Sequence, residues 1–161
     1  NPVTQIYLEE GAVFTLDTAQ IGGVDSTVRK TEVYMEADSK LYVMEKLMTH
    51  DSQTAVSDMT VEMNGAGSSV SRSVAKGNSV QTFHPIAIGN ALCHAHVQCD
   101  SIIMDKAQIS SIPEINARDI DAQIIHEAAI GRINNEQILK LRTFGMTEEE
   151  AEAVIIEDFL A

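Results

Sequence analysis

Residues 37–53 read A-D-S-K-L-Y-V-M-E-K-L-M-T-H-D-S-Q. A turn cluster, Ala37-Asp38-Ser39, leads into the β-rich run Leu41–Met44, and a second cluster, Asp51-Ser52-Gln53, closes the stretch. Asp and Ser favour turns because their short side chains bond nearby backbone groups. Leu, Tyr, Val and Met fit a pleated surface. From Ala37 onward such clusters recur about every 12–16 residues, at Asn64-Gly65-Ala66-Gly67, Lys76-Gly77-Asn78, Ile88-Gly89-Asn90, Asp105-Lys106-Ala107 and Arg118-Asp119. Strand-like runs lie between them, among them Gln5–Leu8, Val13–Leu16, Thr31–Met35, Thr60–Met63, Ser79–Phe83, His96–Met104 and Ala122–Ile125. Two architectures produce this rhythm. A sandwich makes hairpins with turns every 8–12 residues or so. A stacked β-solenoid makes one longer coil per layer, with small residues at its corners. The wider spacing and the Gly, Ala and Ser corners favour the solenoid. Such a body has two open ends, each exposing an unpaired strand edge unless something caps it.

The pattern changes after Ile125. Asn134-Asn135-Glu136-Gln137 is a helix start, followed by the apolar positions Ile138, Leu139, Leu141 and Phe144. Gly145 suits the left-handed residue that ends such a helix. Thr147-Glu148-Glu149-Glu150 is a capping box for a second helix carrying Ala151, Val154, Ile155 and Phe159 at helical spacing. Neither helix is long enough to stand alone, so both must pack on the β-body or on a partner. The expected organisation is a β-core over residues 1–125 and a two-helix subdomain over 126–161.

Composition narrows the function. The chain has 161 residues, 44% of them apolar, with aromatics at 4% and no Trp, so its core is built from Val, Ile, Leu, Ala and Met. Eleven basic residues stand against 24 acidic ones, a formal charge of -13. That balance argues against nucleic acid and against anionic membrane surfaces, because no basic cluster exists to meet their phosphates. No apolar run is long enough to span a bilayer, and Asn1-Pro2-Val3 does not open a signal peptide. The lack of an initiator Met points to a processed form or an excised piece. The two cysteines do not make a disulfide framework, so free thiols in a cytoplasmic protein are expected.

Cys93-His94-Ala95-His96-Val97-Gln98-Cys99-Asp100 is the densest set of soft ligands. On a strand, Cys93, Val97 and Cys99 face one way, and His94 and His96 the other. A His-x-His pair holds two corners of a transition-metal site, and a thiolate adds a ligand suited to iron, zinc or copper(I). Alternation separates the two sets, so one four-ligand site needs a bulge or a second chain. The bland alternative makes both cysteines buried core residues and the histidines surface groups. His126 and Glu127 form a second reactive pair, again on opposite faces of a strand. There is no G-x-S-x-G, no Walker loop and no dinucleotide-binding glycine pattern, so the chain does not read as an enzyme.

At these residues the sequence resembles the SufB/SufD family, the scaffold components of Suf iron–sulfur cluster assembly. Gln98-Cys99-Asp100-Ser101 is similar to the family's Q-C-D-S segment, and Pro113-Glu114-Ile115 to its P-x-[IL] segment. His126-Glu127-Ala128 through Phe159 is similar to its H-E-A signature and acidic helix. The resemblance implies a right-handed parallel β-helix with a small C-terminal helical subdomain. It implies a homodimer or a paired SufB/SufD-type assembly, joined through β-helix edges, with a transient iron–sulfur cluster formed at the interface. It also implies a SufC-type ABC ATPase partner docked on the helices, for which Ile138, Leu141, Phe144, Met146 and Phe159 are the candidate contacts. Cys99, His126, Glu127 and His96 are the implied cluster-assembly residues, with Cys99, His96 and His94 as metal-ligand candidates. Ile125 stands where the family places the first Glu of an E-H-E triplet, and Phe144-Gly145 where its turn reads Arg-Gly. Two other readings stay open: a structural module that recruits the ATPase without holding a cluster, and a β-rich mononuclear metal protein using His94 and His96.

Overall fold

The computed structural model describes all 161 residues. Eleven strands precede two helices: β1 (Val3–Leu8), β2 (Val13–Ile21), β3 (Ser26–Met35), β4 (Lys40–Thr49), β5 (Thr54–Met63), β6 (Ala66–Ala75), β7 (Val80–Gly89), β8 (Cys93–Ile103), β9 (Gln108–Ser111), β10 (Glu114–Ala117), β11 (Ala122–Gly131), α1 (Asn135–Thr143) and α2 (Glu148–Leu160). Strand accounts for 58% of the chain, wound into a parallel β-solenoid of about five turns. One sheet runs β1-β3-β5-β7, with β9 and β10 both paired to β7, and the other runs β2-β4-β6-β8-β11. Every pairing is parallel, so the hairpins of a sandwich are absent. Each turn of the solenoid consumes about two of the turn intervals seen in the sequence: Val43 lies beside Ser69, and Ser71 beside Cys99.

The strands run longer than their local signal. β6 covers part of the Asn64–Gly67 cluster expected to be a corner, because Ala66-Gly67-Ser68-Ser69 has little intrinsic β-preference. Pairing on both sides, with β4 and β8, supplies what propensity does not. Its small inward side chains Ser69, Ser71 and Ser73 are buried against larger groups such as Met59 and Phe83.

The interior divides along the strands. One half is apolar, built on Val33, Met35, Leu41, Val43, Met59 and Met63. The other half is polar. There the Glu45 carboxylate accepts from Arg29 Nη1 at 3.3 Å and Ser57 Oγ at 3.0 Å. Gln81 Nε2 donates to Thr49 Oγ1 at 2.8 Å and to the Val74 carbonyl at 2.9 Å. The Ser73 and Ser101 hydroxyls lie 2.8 Å apart. Buried polar groups cost several kcal/mol when unpaired, about 1–3 each from protein data, so these pairings are what make a polar half tolerable.

The last strand runs to Gly131, so the β-body passes the boundary expected at residue 125 and includes His126 and Glu127. Ten residues of β11 pair in register with β8, and that ladder carries the strand through a stretch of mixed character. The helices follow with the expected caps. Asn134 Oδ1 accepts from the Glu136 amide at 2.9 Å, Thr147 and Glu150 form a reciprocal capping box, and Gly145 has φ +91°. Both helices seat on an outward apolar row, Ile21–Met48–Val74–Ile102, in which Val74 is fully buried. Lys76 reaches Glu152 at 3.8 Å and Arg72 Nη1 donates to the Ala161 carbonyl at 3.3 Å, both from β6 or its end.

Gly89 ends β7 where it nearly touches the next turn. A Cβ there would lie 2.7 Å from Ala122 Cβ and 2.9 Å from Cys93 Sγ. Gly89→Ala is expected to cost about 1–3 kcal/mol by overpacking in urea unfolding. Gly131→Ala, whose Cβ meets nothing within 4 Å, is expected to leave the midpoint nearly unchanged. Equal midpoints for the two variants would refute this packing.

Candidate functional site

The candidate residues gather at the end of the solenoid where β10 and β11 leave their outer edges unpaired. The expected alternation holds along β8. Cys93, Ala95, Cys99 and Ser101 are buried inside, His94 is exposed, and His96 is half-exposed. The register carries this alternation to β11: Val97 lies beside His126, Gln98 beside Glu127, and Cys99 beside Ala128. Cys99 and His126 therefore both point inward, on neighbouring strands and diagonal to one another. His96 and Glu127 share the outer face, where His96 Nε2 lies 3.1 Å from Glu127 Oε2. The four residues expected at one site form two pairs on opposite faces of a single sheet. Ile125, 48% exposed, sits outward beside His96, where a carboxylate in its place would have joined the outer pair.

The inner pair has the chemistry of a soft ligand set held in reserve. Cys99 is 3% exposed, and the terminal strand covers it through the small side chain of Ala128. Burial pushes its thiol from 9.0 up to about 11, and the charges of Asp100 and Glu45 add to the rise. The nearby Ser111 hydroxyl pulls the other way. Partial burial lowers the pKa of His126, and its Nδ1 is buried without a hydrogen-bond partner. A neutral imidazole with a free inward nitrogen is a competent ligand for iron or another borderline metal. No three His, Cys, Asp or Glu side chains converge on one point, so the chain alone assembles no complete metal site. His94 and His96 share the outer face, but no third ligand joins them.

Cys93 is the other buried thiol, packed by Gly89 at the apolar corner, with its pKa raised by burial. His84 stands on the outer face of the first sheet between Asp58 at 3.4 Å and Glu114 at 3.1 Å, tying β10 to the strands beneath it. Among the helical candidates, Phe144 is 75% exposed and Leu141, Met146 and Phe159 are half-buried. Ile138 is only 9% exposed, the one buried side chain of α1, so it is withdrawn from the expected partner surface. Leu139, 59% exposed, lies on the free side instead.

Sequence reading missed the polar residues that share the interior with Cys99. Glu45, Ser71, Cys99 and Ala128 form one inward row across β4, β6, β8 and β11. Glu45 is 3% exposed, and burial raises its carboxyl's pKa although Arg29 and Ser57 oppose the rise. Aligning the chain by whole turns of the solenoid, rather than by half-turns, would have brought this row to light.

The fold and the site define a class: a parallel β-solenoid with a helical pair on its flank and, at one open end, a buried thiol diagonal to an inward imidazole. The family model described as "SUF system FeS cluster assembly, SufBD core domain" matches residues 1–159, and the chain belongs to the SufBD family. It is 28% identical over 170 residues to an iron–sulfur cluster assembly SufBD family protein of Methanocaldococcus jannaschii, covering 99% of this chain and 52% of that protein. It is 27% identical to a SufBD family protein of Archaeoglobus fulgidus, covering 99% of this chain and 44% of that one. A shorter match to a Pyrococcus horikoshii SufBD family protein reaches 38% over 65 residues, 40% of this chain and 20% of that protein. The chain thus spans about half the length of the first two of these relatives. Family membership supports a role in iron–sulfur cluster assembly. No helix is long and apolar enough to cross a membrane.

The position of the Cys99 thiol has a consequence for stability. The folded chain keeps this proton at pH values where an unfolded chain has lost it, so the thiol's stabilising effect is full below pH 9.0 and is lost as pH rises toward about 11. The loss amounts to roughly 3 kcal/mol at most. Cys99→Ala is expected to flatten this alkaline decline in denaturant titrations, and profiles that stay parallel would contradict it.

Proposed function

We propose that this chain is a scaffold on which an iron–sulfur cluster forms at the open end of the solenoid, with the cluster as cargo. The observation that carries the reading is the inward placement of Cys99 on β8 diagonal to His126 on the terminal strand β11, in a chain of the SufBD family. A soft thiolate and an imidazole suit iron and sulfide, and an incomplete ligand set lets a cluster leave. A second subunit, identical or of paired SufB/SufD type, brings the remaining ligands when its edge docks on β10 and β11. The exposed Ile115, Ile125 and Ile130 at that end support such docking. Opening of β11 over Cys99 exposes the thiol, and an ABC-type ATPase of the SufC kind, held by Leu141, Phe144, Met146 and Phe159, supplies the work. The chain itself performs no covalent turnover in this reading, and its free thiols fit a reducing, cytoplasmic setting.

A second reading rests on the burial of Cys99 and on Ile125 in place of an acid: a structural subunit that recruits the ATPase and holds no cluster. Anaerobic reconstitution with iron and sulfide separates the two. Under the scaffold reading, Cys99→Ala and His126→Ala each lose most of the loaded iron and sulfide while keeping their circular-dichroism spectrum, whereas Glu127→Gln on the outer face keeps more than half. Loading unchanged in Cys99→Ala sinks the scaffold reading and leaves the structural one.

A further inference from the structure

Two voids lie inside the solenoid, and they differ in chemistry. The first, in the apolar half, leaves about 20 Å³ for the centre of a water-sized molecule and is lined by Leu41, Met59, Met63, Pro85, Ala87 and Ala95 among others. The second, in the polar half, leaves about 10 Å³ and is lined by Glu45, Ser71, Gln81, Cys99, Ser101 and Ser111 among others. An interior space of roughly 10–15 Å³ by this measure holds one small molecule if it offers that molecule two to four polar partners, while an apolar space of similar size stays dry.

The polar void offers such partners. Gln81 is 2% exposed, and its amide orientation is fixed, because Nε2 donates to the Val74 carbonyl, which can only accept. Its Oε1 is therefore an acceptor, and it is buried with no hydrogen bond in the protein. Ser111 Oγ is buried as well, beside the Cys99 thiol, and bonds no oxygen or nitrogen of the protein. An unmet buried acceptor is costly, so a donor that reached both atoms would be held firmly. The other groups around the void restrict the occupant's charge. The Glu45 carboxyl repels an anion, and the one cation near it, Arg29, is already spent on Glu45, Thr18 and Gln20.

We propose that this chamber is a binding site for a single small neutral hydrogen-bond donor, a dihydride of oxygen or sulfur, seated between Gln81 Oε1 and Ser111 Oγ and against the Cys99 thiol. Water and hydrogen sulfide share the needed chemistry: two donor hydrogens, no net charge and a size the space admits. The sulfur form bears on cluster assembly only if the scaffold reading above is right, for it would place a sulfide source beside Cys99 before the terminal strand opens. Occupancy of the chamber does not depend on that reading.

Diffraction from crystals of the whole chain, grown anaerobically with and without sodium sulfide and measured at a wavelength sensitive to sulfur, tests the site. A peak within about 3.2 Å of Gln81 Oε1 and Ser111 Oγ is expected in both crystals. A sulfur signal at that peak in the sulfide-grown crystal assigns hydrogen sulfide as an occupant, and an unchanged peak assigns water alone. Either result upholds a donor site. Ser71→Val, which fills the chamber with methyl groups, is expected to abolish the peak. Xenon under pressure is expected to enter the apolar void and not the polar chamber. A chamber without a peak in either crystal, or one that takes xenon, overturns the proposal, and neither result bears on whether Cys99 holds a cluster.

Discussion

Parallel in-register stacking is the constraint on which the rest of this molecule depends. Each residue of an inner strand has one neighbour a turn above and another a turn below, so its side chain's environment is set by residues far away in sequence. The row Glu45–Ser71–Cys99–Ala128 is such a case, as is the outer row Ile21–Met48–Val74–Ile102 that seats the helices. Stacking also produces the open end. Nothing in the chain pairs with the outer edges of β10 and β11, and an exposed edge of this kind is a template for another chain.

The same stacking divides the interior into two halves with different roles. Methionine, valine and leucine close one half, where apolar burial is worth about 25 cal/mol per Å². Serines, Gln81, Glu45 and Arg29 fill the other, which survives because most of its polar atoms find partners. Cys99 belongs to the polar half and Cys93 to the apolar one. That difference in surroundings, rather than any difference in exposure, separates the thiol at the site from the thiol in the core.

Two faces of one sheet divide the labour at the open end. The inner face holds Cys99, buried, and His126, partly buried. The outer face holds His96 and Glu127, which tie β11 to β8 across the surface. An exposed pair of this kind is worth no more than about 1 kcal/mol, yet it acts on a strand with a partner on one side only, where opening is easiest. The helix pair sits on the flank of the second sheet and leaves Phe144 and Leu139 outward, so the site and the helical surface lie on one connected body.

Much of this was open to reading along the chain. Turn clusters with Asp, Asn and Gly set the corners, alternation along Cys93–Cys99 assigned the inward and outward sets, and Asn134 and Thr147 marked the helix starts, because each of these signals is local. Other features were not legible. The serine-rich strand β6 has little propensity of its own and is held by the ladders on both sides of it. His126 and Glu127 looked like the start of the helical part, but ten residues of pairing with β8 place them in the body. Ile138 read as a partner contact, but the fold buries it. Local chemistry in the sequence determined where the chain turns, which residues alternate and where the helices begin. Only the tertiary structure decided which residues meet, because the partners in each row are a full turn of the solenoid apart and a linear sequence carries no mark of its register.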